Sequence, residues 1–109
     1  MAELAMKIKN ILIVMVALTL VVSLGPNARA KMLVLDAGVE VDAGDAAAFD
    51  KLRPRMRDMF NTYLRAIDPA DLEAPGATLN LRAQLLRRIR VVSAPAEPRD
   101  LLFTSFILK

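Results

Sequence analysis

The chain has no cysteine, no histidine and no tryptophan, and only 4 glycines in 109 residues. Without cysteine there are no disulfides and no thiolate chemistry. Without histidine the commonest general base and the usual zinc ligand sets are gone as well. Ser93 and Ser105 therefore have no imidazole to activate them, and Lys31, Lys51 and Lys109 lie in no apolar setting that would make a nucleophile of an amine. A glycine-rich phosphate loop and a paired acid–base motif are also missing. The carboxylates Asp68, Asp71 and Glu73 are close in sequence, but turn and capping roles account for them, and a hard cation wants more oxygens at tighter spacing. These absences argue against catalysis and give no residue to a cofactor or a metal.

Charge of one sign is scarcer than the pI of about 9.7 suggests. From Lys31 onward there are 12 basic and 11 acidic residues, so most of the net +3 comes from Lys7, Lys9 and Arg29 set against Glu3. Those cations flank an apolar run, a pattern that suits membrane targeting better than nucleic acid.

What is present is hydrophobicity: 55% apolar residues and a mean hydropathy of +0.38. Much of it sits in the uncharged run from Ile11 to Leu24, 14 residues long, which is short of the roughly 20 that a spanning helix needs. The stretch LTLVVSLGPNARAKMLVL, Leu18 to Leu35, has three readings. It ends a membrane anchor, or it ends a signal peptide cut after Ala30 behind the small residues of Ala28-Arg29-Ala30, or it forms two strands joined at Gly25-Pro26-Asn27.

Downstream the periodicity is clearer. Leu33, Leu35, Ala37, Val39 and Val41 alternate with Val34, Asp36, Gly38, Glu40 and Asp42, which predicts a half-buried strand, and Leu18, Leu20, Val22 and Leu24 alternate in the same way. After Asp42-Ala43-Gly44 the spacing becomes helical. Asp45 is placed to cap a helix whose stripe runs from Phe49 through Leu52, Met56, Met59, Phe60, Tyr63 and Leu64 to Ile67. Pro54 predicts a kink or a break and restart there. Asp68-Pro69 opens a short helical piece, and Ala74-Pro75-Gly76-Ala77 ends it. Thr78 is placed to cap a second long helix with the stripe Leu81, Leu85, Leu86 and Ile89. Leu101 to Leu108 reads as a last strand, apolar enough to be buried on both faces. The fold class expected is α+β: about three strands in the order β-β-α-α-β, two helices packed on the sheet, and an N-terminal hydrophobic segment.

Over about eighty residues this order resembles the C-terminal domain of the flagellar basal-body-associated FliL family. The resemblance is carried by KMLVLDAGVEVD, RPRMRDMFNTYLRAIDPADL, LRAQLLRRI and the closing DLLFTSFILK. In that family a strand, a short turn and a long alternating strand follow one another, so Leu20-Val21-Val22-Ser23-Leu24 takes the place of the first strand and GPNARAK the turn. The resemblance thus favours the hairpin over cleavage after Ala30. It divides the chain into residues 1–17, a tail and hydrophobic segment able to serve as an anchor, and residues 18–109, a periplasmic domain similar to the stomatin type.

The resemblance implies a non-enzymatic accessory of the flagellar motor: a single-pass inner-membrane protein of the basal body, assembled as a homo-oligomeric ring around stator units and supporting rotation, swimming and chemotaxis. It implies no nucleic-acid partner. Function would then reside in surfaces, and the candidates are Arg82, Arg87, Arg88 and Arg90 on the second long helix with Arg53, Arg55 and Arg57 on the first. Ordinary solvated helix faces would look the same. Two alternatives remain: a small basic module binding nucleic acid or anionic lipid through the arginine-rich helix, and a shortened, inactive relative of the family.

Overall fold

The computed structural model describes residues 12–26, 29 and 31–109. Residues 1–11, and with them the start of the apolar run, Lys7 and Lys9, lie outside the described residues, as do Ala28 and Ala30.

Strand β1 (Ile13–Ser23) and strand β2 (Met32–Asp42) pair antiparallel from Ser23↔Met32 to Ile13↔Asp42 without a shift in register. The Leu24 N–H donates to the Lys31 carbonyl at 2.9 Å and closes the ladder at the turn. Val16, Leu18, Leu20 and Val22 share one face with Leu33, Leu35, Ala37, Val39 and Val41, and all nine are buried. A slip of one residue would expose the whole set, so this pattern fixes the register. Of the three readings of Leu18–Leu35, the structure adopts the hairpin, and β1 reaches back to Ile13. In this fold Ile13–Ser23 is a strand, and among the described residues no helix is long and apolar enough to cross a membrane.

Strand β3 (Asp100–Leu108) pairs antiparallel with β2, which makes β2 the centre of a three-stranded sheet in the order β1-β2-β3. Its sequence predicts burial on both faces, yet Leu101 alone in β3 is fully buried while Thr104 and Ile107 are exposed. The reason is position: β3 is an edge strand, and helices cover one face of the sheet. The register shifts between Asp36 and Ala37, where Asp36 opposes Ser105 and Ala37 opposes Phe103. Thr104 is the extra residue of a β-bulge, and its hydroxyl donates to the Asp36 carbonyl at 3.2 Å. The bulge changes the parity of β3 at its middle. Leu101 and Phe103 before it, and Phe106 and Leu108 after it, then all oppose core-facing residues of β2.

The connection from β2 to β3 is helical: a 3₁₀ turn (Ala43–Asp45), then α1 (Ala46–Lys51), α2 (Arg53–Ala66), α3 (Pro69–Glu73) and α4 (Ala77–Ser93). The first expected helix is divided at Leu52, and Pro54 sits in the opening turn of α2, where its missing N–H costs no hydrogen bond. Asp68 caps α3 as predicted, its Oδ1 accepting from the Ala70 N–H at 3.0 Å. Two caps are otherwise arranged. Asp45 precedes α1 but makes no side-chain capping bond, because its backbone is already helical at φ −99° and ψ −4°. Thr78 lies inside α4, whose N-cap is Gly76 at φ 77°, a left-handed conformation that glycine takes without a Cβ penalty.

Phe49, Met56, Phe60 and Leu64 from α1 and α2, Leu72 from α3, and Leu81, Leu85 and Ile89 from α4 close the core against the sheet. Each such fully buried side chain is worth roughly 1.5–3 kcal/mol over its exposed state. Ser93, the buried polar residue at the end of α4, donates its hydroxyl to the Ala96 carbonyl at 2.8 Å.

Candidate interaction surfaces

The arginines singled out in the sequence do not form one patch. Arg53 is structural: its Nε and Nη2 lie 3.0 and 2.9 Å from Asp50 Oδ1, and its Nη1 donates to the Ala17 carbonyl at 2.8 Å. The Leu24–Lys31 bond and the bond from Ala43 N–H to the Leu12 carbonyl show that even-numbered residues of β1 bond inward to β2. Odd-numbered residues therefore turn their amides and carbonyls to the open edge. Arg53 takes one of those edge carbonyls, so part of the β1 edge is closed to another strand. Arg55 and Arg57 are exposed on α2.

On α4, Arg87, Arg88 and Arg90 are exposed. The Arg88 guanidinium carbon sits 4.4 Å from the centroid of the Tyr63 ring, a cation–π contact that ties α4 to α2 and fixes that cation in place. Arg87 and Arg90 rise beside Val91, which is 77% exposed. Arg82 is half-buried and lines a shallow groove of about 310 Å³ with Thr78, Leu79, Leu102, Phe103 and Phe106, at the β3 edge. About 15 Å of helix rise separates Arg53 from Tyr63 along α2, so Arg53 and the Arg88 site are separate features.

Sequence reasoning passed over Leu79 and Val91, the most exposed large apolar residues of α4 at 66% and 77%. Their signal was present, since neither falls on the stripe of Leu81, Leu85 and Ile89. The uncovered face of the sheet is likewise mixed rather than polar. Ile13, Met15, Val21, Met32 and Ile107 are exposed there beside Asp36 and Glu40, while Asp42 pairs with Arg99. A larger groove of about 630 Å³ between the end of α2, α3 and the start of α4 holds Tyr63, Asp68, Asp71 and Asn80. Its Asp68 carboxylate already serves as the α3 cap.

Three antiparallel strands covered on one face by a divided helix and a basic helix define a small α+β domain whose distinctive groups lie on its outer surfaces. Residues 15–108 match the family of the flagellar basal body-associated protein FliL, and the chain belongs to that family. Over 55 residues it is 42% identical to the flagellar FliL protein of Caulobacter vibrioides strain NA1000 / CB15N, and the same figures hold for that of strain ATCC 19089 / CIP 103742 / CB 15. The aligned stretch is 50% of this chain and 27% of each relative, so the match spans about a quarter of the relatives' length.

Proposed function

We propose that this domain supports the stator units of the flagellar motor through its surfaces, as a non-enzymatic part of the basal body, and so sustains rotation, swimming and chemotaxis. In this reading it lies on the periplasmic side of the inner membrane as part of a single-pass protein and works as a homo-oligomeric ring. Membership of the flagellar basal-body family over residues 15–108 is the observation that carries it. The distribution of charge is consistent with it: α4 has no carboxylate between Leu79 and Arg90, and Arg87 and Arg90 stand clear of the fold beside exposed Val91. Such a ridge fits an acidic segment of a partner.

The test is copurification. An epitope-tagged chain expressed at its native level should bring down stator proteins from solubilised membranes, and Arg87→Glu with Arg90→Glu should reduce the yield without changing the amount of tagged protein. Recovery of basal-body proteins without stator proteins would sink the stator reading and leave the basal-body one standing.

A further inference from the structure

We propose that the β3 edge and the groove beside it form a docking site for a short extended segment of another protein, which adds to the sheet as a further strand and carries an acidic residue to Arg82. Strand β3 is an outer strand, so alternate residues turn their backbone groups away from β2. Lys109 and Met32 exchange hydrogen bonds at 3.0 and 3.2 Å. Lys109, Ile107 and Ser105 therefore bond toward β2, and the N–H and C=O of Phe106 and Leu108 face outward. The bulge at Thr104 changes the parity, which makes Phe103 an outward residue as well. Among the described residues no side chain or loop bonds the outward groups of Phe103, Phe106 and Leu108. The other edge of the sheet is treated differently, since Arg53 occupies the Ala17 carbonyl there. The bulge confines a regular ladder to a few residues, which selects a short segment over a long strand.

Side chains define what that segment is. In an added strand alternate side chains fall on the helix-covered face of the sheet, over the groove of about 310 Å³ between β3 and the start of α4. From β3 the groove is lined by Phe103 and Phe106, whose stacked rings have centroids 6.2 Å apart, and from α4 by Leu79, 66% exposed. An apolar side chain entering there would be covered on both sides.

Arg82 lines the same groove and is half-buried. The ion pairs among the described residues, Asp50 with Arg53 and Asp42 with Arg99, lie elsewhere. Around Arg82 the charge is mostly of one sign: residues 77–109 carry Arg82, Arg87, Arg88, Arg90, Arg99 and Lys109 against Glu97 and Asp100. A carboxylate is the complementary group, and at a half-buried guanidinium it is attracted more strongly than at one in open water. Side chains on one face of a strand recur every second residue. The segment is therefore apolar-x-acidic, its apolar residue set on the aromatic rings and its Asp or Glu two positions away at Arg82. Main-chain bonds supply affinity and these two side chains supply specificity. The site uses neither Arg87 nor Arg90 and stands independently of the motor reading.

Selection from a displayed library of random peptides about ten residues long, the upper range of strand length, on the immobilised full chain tests the proposal. Enriched sequences should share the apolar-x-acidic spacing. A selected peptide should bind Arg82→Glu about tenfold or more weakly than the wild type. The same peptide with Lys in place of its acidic residue should prefer Arg82→Glu to the wild type, which a misfolded protein could not produce. N-methylation of every second backbone amide should abolish binding in one phase and spare it in the other, because only alternate residues of an added strand bond to β3. No enriched sequence, as when a second copy of the chain fills the edge, would overturn the proposal. So would enriched sequences with apolar residues at helical spacing, or peptides whose affinity is unchanged by Arg82→Glu.

Discussion

Among single residues, Arg53 separates what a charge does from where it appears in the sequence. The sequence offers it with Arg57 and Arg82 as a candidate surface cation, but its guanidinium spans Asp50 and the edge carbonyl of Ala17. Arg53→Ala should therefore lower unfolding free energy by about 1 kcal/mol, whereas Arg55→Ala and Arg57→Ala should stay within about 0.5 kcal/mol in the same urea titration. Equal effects at all three positions would mean that the Ala17 contact contributes nothing. Gly76 makes a second residue-scale case. Nothing lies within 4 Å of where its Cβ would be, so space is not the constraint; its φ of 77° is. Gly76→Ala should cost about 1–2 kcal/mol through backbone conformation alone, read as a lower urea midpoint at unchanged slope.

The elements were largely legible because one face of each is buried. Two runs of period two gave β1 and β2, and a stripe at three and four gave the long helices, since in both cases burial on one side imprints the period on the sequence. Pro54 announced the division between α1 and α2 for a steric reason that acts locally. The exact caps were less readable: Asp45 and Thr78 have capping side chains, but backbone angles decided the matter at Asp45 and Gly76 took the role at α4. The bulge in β3 was not legible, because it is defined by the register against Asp36 and Ala37, some 68 residues away. Its consequence can be tested. Deleting Thr104 would remove the extra residue and leave Phe103 opposite Ala37 and Leu101 opposite Val39 in strict alternation, so the protein should lose no more than about 1 kcal/mol, the hydroxyl bond to the Asp36 carbonyl being the contact given up. A loss of about 3 kcal/mol or more in chemical denaturation, the size expected when buried side chains leave the core, would contradict the assignment of Thr104 as the extra residue.

Viewed as a whole, the molecule has a helical side rich in arginine and a sheet side where Asp36 and Glu40 lie among exposed apolar residues. The family could be recognised from the order and spacing of elements, whereas the surfaces that matter could not, because exposed charge carries no period and no burial to betray its use. Arg53 and Arg88 illustrate this, each looking free in the sequence and each engaged in the fold. In the proposed reading the domain sustains flagellar rotation through its exposed surface. The most direct measurement is swimming in soft agar by cells in which the chromosomal copy is deleted and then replaced by the wild type or by Arg87→Glu with Arg90→Glu. The account predicts impaired swimming on deletion, recovery with the wild type, and no recovery with the charge-reversed chain at equal protein level. Deletion cells that swim like their parent would contradict it.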